Sequence, residues 1–410
     1  MSLRTDAEYM MQKAIAASLP DAAVAKALEH KQFGSGKVVL VAIGKAAWQM
    51  AKTAQEILQD RITDGIVITK YNYSKGPLGK LKIWEAGHPV PDNNSLQATQ
   101  EAINLVSGLS AEDTVLFLIS GGGSALFEKP LITLKELQDI TSDLLASGAD
   151  IVAMNTVRKR LSAVKGGKFA KLCAPAKVYA IVLSDIIGDP LDMIASGPAY
   201  PDSSTCAQAL QIIEQYKIML PEAAEKALQQ ETPKQLDNVE TVITGSVTEL
   251  AAAGQKAAEE LGYKTLLLTT SLDCQAKEAG NFLAAIGRQY AGKGEKLAVL
   301  AGGETVVHLH GRGKGGRNQE IALAAAEGIA GLDGVAVFSF GSDGSDGPTD
   351  AAGGFVDSGT KALLASKGVA IPAVLAENDA YHALEKSGGL LKTGATGTNV
   401  NDLSVLLITK

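Results

Sequence analysis

Short, uninterrupted runs of aliphatic residues recur along this chain, separated by longer stretches of helical periodicity, and this alternation constrains the fold more than any other feature. The runs are Val38–Ile43, Gly65–Thr69, Thr114–Ser120, Val178–Ser184, Thr241–Thr244, Thr265–Thr269, Lys296–Leu300, Val335–Phe340 and Leu403–Ile408. Helical patterns lie between them at Ala46–Leu58, Leu96–Leu105, Leu134–Ala146, Thr248–Leu261 and Asn318–Ala326. A strand that is apolar throughout needs cover on both faces, since an open face would bring polar residues at every second position. The pattern predicts an α/β protein in which helices cover both faces of the sheets. The polar stretch QQETPKQLDN, from Gln229 to Asn238, contains Pro233 and precedes a fresh strand–helix–strand pattern at Thr241. A boundary there gives two α/β lobes, residues 1–235 and a smaller 236–410.

Charge and cysteine usage exclude several classes of function. The net charge is −7 and no long basic tract occurs, which argues against nucleic acid as the main partner. The three cysteines, Cys173, Cys206 and Cys274, are scattered and form no CxxC pair, so neither a disulfide framework nor a thiolate zinc site is expected. The first residues lack the pattern of a secretory signal, and no apolar run reaches the ~18 residues of a membrane span. A cytoplasmic protein without membrane contact is the expectation, with homo-oligomerisation left open.

Glycine is abundant, at 43 residues, and clusters in loops after apolar runs, where backbone must approach a ligand or another chain segment closely. In Leu118-Ile-Ser-Gly-Gly-Gly-Ser-Ala125 a strand ends at Ser120 and three glycines follow. Gly121, Gly122 and Gly123 allow successive N–H groups to face one concavity, and Ser120 and Ser124 add hydroxyl donors, a pattern suited to phosphate. A tight turn without a ligand is the plainer alternative. At a second junction Lys45 follows Gly44 at the start of a helix, where a cation opposes the helix dipole unless an anion sits nearby. A solvent-facing lysine fits that position as well. The Walker pattern is absent, because Gly36-Lys37 precedes a strand and not a helix.

Asp185, Asp189 and Asp192 fall in a Gly/Pro loop after the apolar run ending at Ser184, where a carboxylate could take a hydroxyl proton, hold magnesium or cap a turn. Asn155, Arg158 and Ser162 share one face of a helical segment and could bind a carboxylate or phosphate, or form a solvated face. In the second lobe Gly311-Arg-Gly-Lys-Gly-Gly-Arg-Asn318 brings Gly315, Gly316 and Arg317 to a helix start, suited to an anion. The loop Gly341–Asp350 offers Asp343, Asp346 and Asp350 for magnesium or for turn capping. Thr393–Asp402 supplies hydroxyls and amides. Gly311, Gly313 and Gly316 also satisfy GxGxxG, with Asp343 beyond, which would suit a dinucleotide and a hydroxy-acid dehydrogenase. The 27 residues from Gly316 to Asp343 exceed the usual ~20, and the cations of this loop favour phosphate.

Taken together, LISGGGSALFEKP, NTVRKRLSAVKGG, LSDIIGDPLDMIASGPAYPD, AGGETVVHLHGRGKGGRNQE, FGSDGSDGPTDAAGG and TGTNVNDL resemble, in order, the glycerate 2-kinases of the MOFRL family, whose members have also been labelled hydroxypyruvate reductases. The resemblance implies a Rossmann-like three-layer α/β/α N-terminal lobe, a smaller C-terminal α/β lobe and an active site in the cleft between them. It further implies ATP, Mg2+ and D-glycerate, with 2-phosphoglycerate as product. The family's invariant lysine matches Lys45 and its GGRNQE arginine matches Arg317. The catalytic aspartate falls in SDxxGDP, at Asp185 or Asp189. Arg160 stands where the resemblance leads one to expect histidine, a change that would tune carboxylate contacts. The alternative activity is NAD(P)H-dependent reduction of hydroxypyruvate.

Overall fold

The computed structural model describes residues 2–184, 188 and 190–409 and divides into two units, Ala23–Thr244 and a second made of Met1–Ala22 with Gly245–Lys410. The catalytic-aspartate candidates Asp185 and Asp189 lie outside the described residues.

In Ala23–Thr244 the strands β1 (Val38–Ile43), β2 (Ile62–Lys70), β3 (Lys82–Ala86), β4 (Thr114–Ile119), β5 (Lys177–Val182) and β6 (Val239–Ile243) form a parallel sheet in the order β3-β2-β1-β4-β5-β6. The chain steps outward from β1 to β3, then restarts at β4 on the other side of β1. Loops leaving the carboxyl ends of β1 and β4 therefore diverge, and this switch point is where doubly wound sheets bind ligands. Every residue of β1 and β4 is buried, as their unbroken apolar sequences require. Phe117, Phe127 and Phe169 pack in the core, with Phe169 at 4.9 Å centroid separation from each of the others. A second apolar cluster, including Leu137, Ile140, Val157, Leu161 and Leu228, unites the helices Leu134–Ala146, Ile151–Leu161, Cys206–Tyr216 and Glu222–Leu228.

The second unit holds β7 (Lys264–Leu272), β8 (Leu297–Gly303), β9 (Val335–Gly341), β10 (Gly353–Asp357), β11 (Leu390–Leu391) and β12 (Asp402–Ile408), in the order β11-β10-β9-β12-β8-β7. Only β7 and β8 pair in parallel, and β12 lies antiparallel to both β8 and β9. The helix Leu3–Ala17 belongs to this unit. Its Asp6 carboxylate accepts the Tyr263 hydroxyl at 2.7 Å, and Ser18 accepts the Thr398 hydroxyl at 2.7 Å. The unit boundary thus lies at 244/245, and the first 22 residues join the C-terminal unit instead of the N-terminal one. A single cut at 235/236 misses that exchange, because the pairing spans more than two hundred residues of sequence.

Candidate active site

The loops after β1 and β4 are built into one another. Gly44 has φ +111°, and a Cβ there would lie 2.2 Å from Ser120 Oγ, so only glycine fits. Lys45 N–H donates to the Gly121 carbonyl at 2.9 Å, and Ala46 N–H donates to Ser120 Oγ at 3.1 Å. The Ser120 hydroxyl donates in turn to the Ile43 carbonyl at 3.2 Å and is buried. Ser120, expected as a phosphate donor, spends its hydroxyl on this junction. Lys45 precedes the helix Ala47–Leu58 instead of lying within its first turn.

Gly122 adopts φ +87° and caps a single helical turn, Gly123–Leu126. Among the described residues the N–H groups of Gly121, Gly122, Gly123 and Ser124 have no acceptor. Four successive donors at the switch point without a protein acceptor call for an anion or water, since backbone donors are rarely left unsatisfied. Lys45 and His88 flank it: a Cβ on Gly122 would lie 3.2 Å from Lys45 Cγ and 3.0 Å from His88 Cδ2. Burial, with the charges of Lys45 and Lys70, holds His88 below the usual histidine range, so the ring is neutral near pH 7.

Asn155 and Arg158 approach this loop from the helix Ile151–Leu161. Arg158 donates to the Ser124 carbonyl at 3.3 Å, and Asn155 Oδ1 accepts the Ser196 hydroxyl at 3.0 Å. Ser196 Oγ also lies 3.0 Å from Ser124 Oγ. Ala195 and Ser196 hold φ of 51° and 61°, a left-handed backbone that costs about 1–3 kcal/mol per non-glycine residue and that clusters at functional sites. This backbone brings Ala195 against Gly123, where a Cβ would come within 2.6 Å of it. Lys165 anchors the turn from beneath, donating to the Ser124 and Phe127 carbonyls at 2.8 and 3.1 Å and lying 3.4 Å from Glu128. Its burial lowers its pKa to about 8.

Two neighbours of that helix face elsewhere. Arg160 is fully buried and donates to Thr156, Ser204 and Glu231, so it does not tune a carboxylate beside Arg158. Ser162 is buried at the helix end, where its hydroxyl accepts Val164 N–H at 3.4 Å. Asp192 accepts Lys159 Nζ at 3.1 Å, which assigns that aspartate an ion-pair partner.

In the second unit Arg317 opens the helix Arg317–Gly328. Its guanidinium forks onto Asp402, through Nε to Oδ2 and through Nη2 to Oδ1 at 3.1 Å, while Nη1 meets Glu304 at 2.9 Å. Burial works against the charge, but the Asp402 hydrogen bonds outweigh it and raise the Arg317 pKa further. Asn401 donates to Glu304 at 3.1 Å. Among the described residues three guanidinium N–H groups are engaged, which leaves two for an anion. Neither Asp402 nor Glu304 is recognisable as the arginine's partner from local sequence.

The glycines of the GxGxxG match have a packing reason. A Cβ on Gly311 or Gly313 would lie 2.3 to 2.5 Å from Glu377 main-chain atoms, and one on Gly316 would lie 2.3 Å from Asp346 Cγ. Gly315 sits less tightly, 3.3 Å from Ala380 N by the same measure. The flanking strands β8 and β9 are separated by the antiparallel β12, unlike the adjacent parallel strands of a dinucleotide fold. Asp346 accepts Asn318 and Gln319 N–H at 3.1 and 2.9 Å and so caps the Arg317 helix. Asp343 accepts Ser345 N–H at 2.9 Å. Asp343 and Asp346 thus cap backbone, whereas Asp350 accepts the Tyr381 hydroxyl at 2.7 Å and Lys392 Nζ at 2.8 Å. Among the described residues, no group of three or more His, Cys, Asp or Glu side chains could share a metal ion.

Comparison with known proteins adds the following. Residues 6–229 match a domain of unknown function, DUF4147, and residues 297–402 match the MOFRL family. The D-glycerate 2-kinase of Thermotoga maritima is 52% identical, with 99% of each chain covered. An Agrobacterium vitis protein carrying a provisional hydroxypyruvate reductase name is 38% identical, covering 100% of this chain and 95% of its own. The crystal structure of a glycerate kinase from Thermotoga maritima superposes with a TM-score of 0.96 at 51% identity, covering 100% of both chains.

Proposed function

The chain belongs to the glycerate 2-kinase family with a MOFRL domain, and on that premise we propose that it transfers the γ-phosphoryl group of ATP to the C2 hydroxyl of D-glycerate, giving 2-phospho-D-glycerate. One observation carries the reading furthest: the N–H groups of Gly121 to Ser124, which have no acceptor among the described residues, stand beside Lys45 at the sheet's switch point. Phosphoryl transfer needs little covalent help from protein and much positioning of anionic oxygens, which such a loop supplies.

In this reading the loop and Lys45 hold phosphate oxygens, and Asn155 and Arg158 hold the substrate carboxylate. Arg317 contributes its two remaining N–H groups to charge stabilisation, with Gly315 and Gly316 shaping its loop. Asp185 or Asp189 takes the hydroxyl proton. Magnesium would accompany ATP and would be held mainly by phosphates and water, its common mode in kinases. That mode asks for no cage of protein carboxylates. A cytoplasmic location and small-molecule partners complete the proposal. Among the described residues no helix is long and apolar enough to cross a membrane.

Hydroxypyruvate reduction is disfavoured by the glycine packing around Glu377 and Asp346 and by β12 lying between β8 and β9. The deciding experiment incubates the protein with D-glycerate, ATP and magnesium and reads the product by phosphorus NMR. A 2-phosphate resonance is expected. Phosphate at C3, or NADH oxidation by hydroxypyruvate with no phosphorylation, would overturn the assignment.

A further inference from the structure

We propose that His88 is a ligand-contacting residue whose imidazole donates a hydrogen bond to an anionic oxygen held by the Gly121–Ser124 N–H groups and Lys45. The inference rests on reading this loop as the kinase's anion site. It starts from a half-buried donor with no protein acceptor among the described residues. A neutral imidazole carries one N–H donor, yet among the described residues neither ring nitrogen of His88 has a hydrogen-bond partner. Among the described residues, those placed near the ring are the Lys45 side chain after β1, Lys70 at the end of β2, and Gly122 after β4. None offers an acceptor to the ring, because both lysines are donors and Gly122 presents its α-carbon. An oxyanion bound beside Gly122 would accept from His88, from Lys45 and from the loop N–H groups together.

The ring is placed there by a rigid segment. A Cβ on Gly87 would lie 2.6 Å from the Val90 carbonyl oxygen, so the turn closes tightly after β3. The Asp92 carboxylate on the same segment is engaged with Tyr71 at 2.6 Å and with Ser95 at 3.0 Å. The approach to Gly122 leaves 3.1 Å between an added Cβ and His88 Nε2, so glycine there admits the imidazole as well as the left-handed turn. Burial, helped by the neighbouring cations, keeps the ring uncharged near neutral pH, so it supplies a directional donor without adding to the positive charge.

Imidazole NMR on the wild-type protein tests this directly, since the chain has five histidines and the His88 signal is identified by its loss in His88→Gln. Separate titrations use pyrophosphate, ATP with magnesium, and D-glycerate. Movement of the His88 resonances, and an upward shift in their titration midpoint, is expected with at least one probe. The responding probe tells phosphate from carboxylate. His88→Ala should raise the KM for that same ligand about tenfold or more, a usual scale for a hydrogen bond to charge, and His88→Asn should recover part of the loss. His88 signals unmoved by all three probes in an enzyme that phosphorylates glycerate would overturn the inference alone. Movement with pyrophosphate in a protein that does not phosphorylate glycerate would support the anion contact while removing the kinase reading.

Discussion

Ser120 and Ala46, 74 residues apart in sequence, are joined by a 3.1 Å hydrogen bond from the Ala46 amide to the Ser120 hydroxyl. Because that hydroxyl also donates to Ile43, it ties the loop bearing Lys45 to the loop bearing the glycines. Ser120→Ala should therefore behave as a scaffold lesion. Leaving a partly buried amide without its acceptor costs up to about 1–3 kcal/mol, so thermal unfolding should move down measurably. Turnover should fall with KM for both substrates disturbed. Unaltered thermal stability with a KM change for one substrate alone would instead return Ser120 to the role of a direct ligand.

Lys45 calls for the opposite result. Its main chain is fixed independently of its side chain, through the 2.9 Å bond to Gly121 and the Thr69 hydroxyl donating to its carbonyl at 3.3 Å. Lys45→Ala should keep the wild-type melting temperature and lose turnover by about 10² or more, the scale of a donor aimed at transition-state charge. Steady-state kinetics within threefold of wild type would remove Lys45 from the site.

Arg317 depends on a pair of acids. Arg317→Lys retains the charge but cannot form the fork to Asp402, and Asp402→Asn removes the charge that orients the fork. Both variants should lower kcat and kcat/KM together, by about 10² for the lysine variant, while calorimetric nucleotide affinity changes little. A loss confined to nucleotide affinity would make Arg317 a ground-state binder only.

Why some of this was readable from sequence and some was not follows from distance along the chain. β1 and β4 announce themselves because burial on both faces demands unbroken apolar runs. The glycine loop is readable because its conformation depends on residues adjacent in sequence. β3, an edge strand with the sequence KIWEA, and β10, with GGFVD, lack that signal. β3 is covered on fewer sides, and β10 uses glycines for close approach, a Cβ on Gly353 lying 1.9 Å from the Ser339 carbonyl oxygen. The Arg317–Asp402 fork, the His88 position and the docking of Leu3–Ala17 onto the C-terminal unit join segments far apart in the chain. No local pattern marks those pairings, and the buried partners of Arg160 show how a charged residue in a promising motif can belong to the interior.

Asp346 yields a prediction in which the sign decides. Burial raises its pKa to about 6, against the opposing pull of the Gln319 and Asn318 N–H groups. The unfolded chain releases this proton near pH 3.9, so between about pH 4 and 6 the folded state binds more protons than the unfolded one. This group's contribution to stability is therefore greatest below pH 4, declines as pH rises through 6, and is flat above. The span corresponds to about 2–3 kcal/mol. Asp346→Asn does not titrate and loses one acceptor to the capped helix, so it should be less stable than wild type at pH 4. That gap should then narrow by about 2–3 kcal/mol by pH 7 as wild type alone bears the cost of ionisation. Urea unfolding of both proteins across this range measures the gap and cancels the titration of the other carboxylates. A gap independent of pH would mean that Asp346 titrates alike in both states. A gap that widens with pH would mean that the helix N–H groups favour the carboxylate more strongly than burial opposes it.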